Sequence, residues 1–358
     1  MSMTSRERVL AAVGHQVPDR VPFSMGFGPT PEARVQLDEY LAPRGVTFAQ
    51  LQRRVEDIRT VGPRYTGPPR REGTDIWGVR RKAVSYGQGS YDEIVESPLA
   101  RLTDPAQLDD YPWPDPDMWD DGGLADRIRE VDPDGHYAIR LGGGNPFETF
   151  TWMTGLEESM MRLATSPQFV QRALEHITGF FVARVERALS AAPGMVDLVF
   201  TADDLGSQSG PLIGPAMYRD LIMPFHRRLH DCIHAHGARV LYHSDGSVVA
   251  LLDDLVEAGV DILEAVQVDA AGMDPEVLKQ RAGDRLAFHG GVSVQQLLPN
   301  ATPQEVRQET ARLVEVFGRG GGYICAPTHA VQVGTPCDNV VAMIETATGR
   351  TVDEMLGD

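Results

Sequence analysis

At five places along this 358-residue chain, titratable or metal-binding side chains follow directly on a short apolar run. Asp203 and Asp204 come after Val196–Phe200, His243 and Asp245 after Ala238–Tyr242, and Glu264 and Gln267 after Val260–Leu263. His289 precedes Gly290 and Gly291 after Arg285–Phe288, and the stretch Cys325–His329 closes the run that begins at Gly322. The His-x-Asp spacing at 243 and 245 turns both side chains to one side of an extended chain. Such a pair can chelate a metal, or the carboxylate can orient the imidazole for acid–base work. Glu264 interrupts an apolar strand end, and an unpaired buried carboxylate is costly, so it needs a cation, an arginine or a substrate donor beside it. Plainer uses exist for each. Asp203 and Asp204 could cap the turn before Gly206, His243 could be a satisfied core histidine, and His289 could bond the backbone at its Gly-Gly turn. The candidate catalytic residues are therefore Asp203, Asp204 and His289, and the candidate metal ligands are His243, Asp245, His329 and Glu264. Cys325 is a weaker ligand because it sits inside an apolar strand, where a cysteine acts as a small core residue. Cys232 and Cys337 read as structural.

The elements that must carry these residues alternate regularly from Tyr137 onward. The β-rich runs are Tyr137–Leu141, Val196–Phe200, Ala238–Tyr242, Val260–Leu263, Arg285–Phe288 and Gly322–Cys325. Between them lie segments of helical period. Met217, Leu221, Ile222, Phe225, Leu229, Cys232 and Ile233 recur at three- and four-residue steps from Pro215 to Gly237, predicting one helix there. A second begins at Thr302, where Glu305 completes a capping box, and runs through Val306, Leu313, Val316 and Phe317. Near-continuous apolar strands suit a parallel sheet covered by helices. Six βα units, with one or two irregular ones before Tyr137, point to an α/β fold of the closed (β/α)8 TIM-barrel type, with an open doubly wound sheet as the alternative. All strand ends of such a barrel open on one face, where barrel enzymes keep their catalytic groups. The Gly-rich run after Leu141 lacks the G-x-G-x-x-G spacing of a dinucleotide turn.

Residues 1–135 have a different texture, with a helix near Ser5 to Gly14, a strand-like Arg20–Met25, and a hairpin around Trp77 to Tyr91. The proline-rich stretch Tyr111–Asp117 reads as an ordered surface connection without regular structure. One domain over residues 1–358 is expected, with an irregular N-terminal part (1–135) and regular βα units from 136 on. The composition, 42% hydrophobic and 23% charged, is enough for a large core. A net charge of −18 without a basic stripe argues against nucleic-acid binding. No apolar run is long enough for a membrane span, and the start lacks the apolar core of a secretory signal, so a cytoplasmic location is expected. The three cysteines are too few and scattered for a disulfide framework.

At these same residues the chain resembles the superfamily of uroporphyrinogen decarboxylases and corrinoid methyltransferases. The resemblance is carried by Asp203–Gln208 with Gly210–Ile213, by Tyr242-His-Ser-Asp-Gly246, by Phe288-His-Gly-Gly291, and by Gly320–His329 followed by Thr335-Pro336 and Asn339. The opening Ser5–Leu10 and Pro18–Pro22 extend it over nearly the full length. It implies a TIM barrel with two main chemistries. The decarboxylases remove acetate carboxyl groups from a tetrapyrrole without a cofactor, and grip it through an N-terminal segment of the kind Met-Arg-Gln-Ala-Gly-Arg. The matching segment here, Val21–Pro29, contains no arginine, so a highly anionic substrate would lose its charge-assisted contacts. His329 does fall where those decarboxylases have a histidine.

The methyltransferase branch exchanges methyl groups with a corrinoid protein, and its thiol-acting members hold zinc through a His-x-Cys pair and a later cysteine. By position His243 matches that histidine, Asp245 replaces the first cysteine and His329 the second. A His/Asp/His set suits zinc or another borderline cation but is harder and less electron-donating than a thiolate set. The expected activity is thus methyl transfer to or from a small molecule, with a corrinoid on a partner protein as methyl carrier, zinc as the metal, and a homodimer as the assembly. The rival readings are a decarboxylase of a porphyrinogen or smaller carboxylated compound, with Asp204 or His329 as proton source, and a non-catalytic corrinoid- or tetrapyrrole-binding barrel.

Overall fold

Seven parallel strands form one sheet in sequence order: Ile58–Thr60, Ala138–Gly144, Leu198–Ala202, Arg239–His243, Ile262–Ala265, Ala287–Val292 and Tyr323–Pro327. The structure, a computed structural model, describes residues 3–85, 87 and 89–357. The two outer strands are joined by the segment around Phe23. It bridges Cys325 in parallel, with the Ser24 amide donating to the Cys325 carbonyl (3.0 Å) and the Asp57 amide donating to the Phe23 carbonyl (3.0 Å). This segment makes the sheet a closed TIM barrel and excludes the open doubly wound alternative. The strand-like reading of Arg20–Met25 is its short first strand, and Ile58–Thr60 its second.

All six strands read from the sequence are present, each reaching one to several residues further toward the mouth than its apolar run. The predicted hairpin is formed by Arg80–Ser85 and Ser90–Glu96; Tyr86 and Gln88 lie outside the described residues. The helix at Ser5–Val13 and the Thr302/Glu305 capping box are also found. One helix reading needs correction. The segment from Pro215 is two helices, Pro215–Leu221 and Met223–Ala235, because Pro224 has no amide to donate back into the first of them. Prolines otherwise open helices, at Pro31, Pro146, Pro167, Pro275 and Pro303, where the missing donor would have been unpaired anyway. Tyr111–Asp117 contains neither α-helix nor strand and enters a short 3-10 turn at Pro116–Met118. No helix among the described residues is long and apolar enough to cross a membrane.

Strand alternation sorts the side chains into two layers. Ile58, Ala138, Leu198, Leu241, Ile262, Ala287 and Ile324 pack together inside the barrel, sealed from below by Val9 and Val13 of the first helix. Their neighbours along the strands, including Leu141, Val199, Val240, Tyr242, Leu263, Phe288 and Cys325, belong to the larger core between sheet and helices. Two residues beyond the inner apolar layer, the same strands carry Arg140, Phe200, His243, Glu264 and His289. The polar layer therefore sits directly on an apolar plug.

Closure at the bottom depends on Asp57, which is fully buried and salt-bridged to Arg8 (2.7 Å) and Arg20 (2.8 Å) while accepting from the Phe23 amide (2.8 Å). Breaking a buried, hydrogen-bonded ion pair from one side strands the other charge and costs about 3–5 kcal/mol. Asp57→Ala should lower unfolding stability by roughly that amount in a urea titration. It lies below the apolar plug, so a metal bound at the mouth should be unaffected. Unchanged stability would show that closure of the first two strands does not rest on this carboxylate.

Candidate functional site

His243 ends its strand inside the mouth, and its two ring nitrogens have distinct surroundings. Nδ1 lies 3.0 Å from Glu264 Oε2, while Nε2 lies 3.6 Å from Asp204 Oδ1 and 3.9 Å from Asp245 Oδ1. Asp245 Oδ2 is in turn 3.9 Å from His329 Nε2. The donor atoms of His243, Asp245 and His329 all fall within 4.8 Å of one another. Burial alone would push the His243 imidazole down, but Glu264, by charge and hydrogen bond, then Asp245 and Asp204, outweigh it and hold it at about 9. Burial pushes the Asp245 carboxyl up, against the pull of His243 and His329.

Glu264 was expected as a fourth ligand, and the geometry puts it elsewhere. It is almost fully buried behind His243, faces His289 Nδ1 at 3.7 Å with its other oxygen, and stands outside the cluster of three. Its pKa is lowered: burial opposes this, and His243, His289 and Arg140 prevail. A carboxylate on Nδ1 fixes the tautomer and leaves Nε2 free, as in carboxylate–histidine–zinc arrangements. The His/Asp/His donor set therefore fits a borderline dication, with Glu264 orienting one ligand.

The three candidate catalytic residues separate. Asp204 reaches the mouth, its side chain 41% exposed and its Oδ1 accepting from the Asp245 amide at 2.9 Å. Asp203 faces the opposite way and is fully buried. It caps the helix Pro146–Thr154 by accepting from the Phe147 (2.9 Å) and Glu148 (2.6 Å) amides, and it meets His226 Nε2 at 2.5 Å. Burial raises the Asp203 carboxyl and lowers the His226 imidazole to about 3. Asp203 is thus a structural cap, but of this distant helix rather than of the turn before Gly206 that the sequence suggested, and the geometry supports that use in place of contact with a substrate. His289 is likewise fully buried, neither ring nitrogen has a hydrogen-bond partner among the described residues, and burial lowers it to about 4. It lies under Glu264 in the barrel interior, away from the cavity walls. Cys325 points into the sheet–helix layer, away from the mouth, which removes it from the ligand set, and burial raises its thiol to about 12.

A cavity of about 460 Å³ opens beside the three donors, lined by Phe27, Trp152, Phe181, Phe200, Glu148, Asp204, His243 and His329 over a floor of Gly142 to Gly144. Phe27 packs edge-on against Phe200 and His243 and tilts over His329. At Gly144 a Cβ would come within 2.3 Å of the Phe181 ring, so only glycine lets this strand end pass. A second cavity of about 520 Å³ shares Glu148, Trp152 and Asp204 and continues toward Leu156, Met160 and Leu212.

Glu148 was not anticipated. Burial raises its carboxyl to about 7, opposed by the hydrogen bond from Asn145 (2.9 Å) and reinforced by Asp203 and Asp204. The one available signal was its place in the first helical turn after Leu141–Asn145, at the end of a barrel strand. Because the folded pKa lies above the unfolded one, the folded protein binds the extra proton between about 4.5 and 7. The contribution of Glu148 to stability therefore falls as pH rises through that window. Glu148→Gln should flatten the pH dependence of the unfolding midpoint between those values. An unchanged slope would contradict the shift.

Comparison with known proteins follows the same lines. The uroporphyrinogen decarboxylase (URO-D) family profile matches residues 104–350. Uroporphyrinogen decarboxylase of Pseudomonas aeruginosa is 25% identical over 262 residues, covering 69% of each chain. A methylated-thiol–coenzyme M methyltransferase of Methanosarcina mazei is 28% identical over 199 residues, 56% of this chain and 50% of that one. A solved methyltransferase from Methanosarcina mazei superposes with a TM-score of 0.65 over 97% of this chain and 98% of its own, at 16% identity.

Proposed function

The chain belongs to the uroporphyrinogen decarboxylase (URO-D) family, and from that premise we propose that it is a metal-assisted methyltransferase that moves a methyl group between a small molecule and a corrinoid carried by a partner protein. The observation that carries this reading is the trio His243, Asp245 and His329, with His243 Nδ1 held by Glu264 at 3.0 Å and Nε2 left toward the cavity. His243, Asp245 and His329 would hold the metal, and Glu264 would orient the first of them. A bound zinc would act as a Lewis acid on a substrate heteroatom at its open position.

The remaining walls fit this task. Asp204 and Glu148 offer carboxyl groups to order the substrate, and Glu148, at about 7, can give or take a proton near neutrality. Phe27, Phe200 and Trp152 exclude water from one side. The adjoining cavity, with exposed Leu156 and Leu212 at its edge, gives a methyl carrier a route to the same carboxyl groups. The decarboxylase reading is short of cations: none of the residues lining either cavity is Lys or Arg, where a polycarboxylated tetrapyrrole would need several.

Two assays run side by side test the proposal. With reduced uroporphyrinogen, no coproporphyrinogen should form. With a reduced corrinoid and a panel of methyl ethers, thioethers and methylated amines, the corrinoid absorbance should shift to that of the methylated form. Coproporphyrinogen formation with no corrinoid change would overturn it.

A further inference from the structure

Arg140 belongs to the same inward-facing layer as Phe200, His243, Glu264 and His289, yet among the described residues it forms no ion pair. Its Nε donates to Thr60 Oγ1 at 3.0 Å, and Nη2 reaches the Gly26 carbonyl at 3.5 Å. Nη1 has no hydrogen-bond partner among the described residues. The chain carries 51 acidic side chains against 33 Lys and Arg, so a guanidinium without an acid reflects its placement and not a shortage of acids. The carboxylates nearby are engaged elsewhere, Glu264 with His243 Nδ1 at 3.0 Å and Glu56 with the Met25 amide at 2.8 Å. A cation drawn into a barrel mouth and met only by neutral groups is costly, and an anion arriving with a ligand offsets that cost. A cavity of about 190 Å³ opens at the guanidinium, lined by Ser24, Gln52, Glu56 and Thr60 together with Arg59 and Arg140. Arg59 is already committed, since it donates to the carbonyls of Arg53, Glu56 and Ile58 and lies over the Tyr137 ring. Arg140 is therefore the free cation of this cavity.

We propose that Arg140 anchors a single carboxylate of the small-molecule substrate, received in this cavity. The guanidinium offers Nη1 and Nη2 for a forked pair of charge-assisted bonds, with Thr60 fixing its plane from the Nε side. Phe200 lies on the strand between Arg140 and His243, its ring centroid 5.7 Å from the guanidinium carbon and 6.0 Å from the His243 ring. An acid held at Arg140 thus needs only a few further atoms, laid along the Phe200 ring, to bring a methyl-bearing heteroatom toward His243. One free guanidinium suits one carboxylate and not the many of a tetrapyrrole. The inference rests on the methyl-transfer reading for the methyl group alone; the recognition of an anion stands on the geometry around Arg140.

The test is equilibrium binding by calorimetry to the full-length protein, as purified and again after chelator treatment, so that acid held by a metal is told apart. The probes are methoxyacetate, its neutral isostere methoxyacetamide, and 2-methoxyethylammonium. Methoxyacetate should bind about tenfold more tightly than the amide in both preparations, the order expected of hydrogen bonds to a charged partner, and the ammonium should bind least. Arg140→Gln should abolish the preference for the acid, and Arg140→Lys should keep part of it as a point charge. Thr60→Val, which removes the acceptor holding Nε, should reduce it severalfold. Arg71→Gln, at an exposed arginine in the separate groove of Arg70 and Lys82, should leave it unchanged. Unfolding curves identify a variant that misfolds, and Thr60→Val decides the matter if Arg140→Gln is one. Equal binding of acid and amide, a preference that survives Arg140→Gln or disappears in Arg71→Gln, or no binding of methoxyacetate overturns the anchor. Corrinoid methylation from a neutral ether together with absent methoxyacetate binding overturns the anchor alone. An Arg140-dependent preference in a protein that methylates no corrinoid supports the anchor and removes the methyl-transfer reading.

Discussion

Protein purified from zinc-containing medium should carry stoichiometric zinc, and His243→Ala and His329→Ala should each lose it. The expectation follows from three donors at the ends of two strands, His243 and Asp245 at one and His329 at the other, that come within 4.8 Å of one another. Imidazole nitrogen and carboxylate oxygen bind zinc at about 2.0–2.2 Å, so small side-chain movements suffice to close the set. Three protein ligands with an open position describe a catalytic rather than a structural site. Removing one of three leaves two donors facing solvent, and His329 is already 45% exposed, so little remains to retain the ion. The loss should be read by metal analysis after dialysis, with circular dichroism to verify the fold. Zinc retained in both variants would place the metal elsewhere or make it adventitious.

Glu264→Gln should produce the second-largest change, through a residue that does not touch the cavity. Its carboxylate is 1% exposed and holds His243 Nδ1 at 3.0 Å. The glutamine keeps the shape and one acceptor but removes the charge that supports the imidazole. Partners of this kind typically account for 10–100-fold in metal affinity, so zinc binding should weaken by about that factor. Stability should also fall in the metal-free protein, by about 3 kcal/mol at most, because His243 would lose its nearest counter-charge and keep only Asp204 and Asp245 at 3.6 and 3.9 Å. His243 sits at about 9 against 6.5 unfolded, so its contribution is full below about 6.5 and is lost as pH rises through about 9. In Glu264→Gln that pH dependence should shrink. Unaltered zinc affinity in this variant would show that the carboxylate is not an orienting group.

Much of this arrangement could be read from the sequence, because a parallel strand buried on both sides announces itself as an apolar run and its end as the first polar residue. His243, Asp245 and His329 were legible for that reason. What escaped depends on direction rather than residue type. Asp203 and Asp204 are adjacent and alike, yet alternation sends one into the wall and the other to the mouth, and the irregular stretch after Ala202 hides which is which. Glu264 looks like a ligand from its placement, and only the three-dimensional registry with His243 turns it into the group behind one. The first strand is so short around Phe23 that its closure of the barrel rests on a few backbone bonds. The break at Ile222 was masked because apolar residues continue their helical spacing straight through Pro224. Glu148 lies in a helix, outside the strand-end pattern, and only burial beside Asp203 and Asp204 makes its carboxyl unusual.

The central claim, a metal-assisted methyl transfer at the barrel mouth, is tested most directly by following corrinoid absorbance with one methyl donor while zinc occupancy is varied. Samples stripped with chelator, reconstituted stepwise and assayed in parallel give rate against bound zinc. The rate should rise in proportion to occupancy and should stay near background in His329→Ala at any zinc concentration. Full activity in zinc-free protein would contradict the account and would leave His243 and Asp245 as an acid–base pair instead.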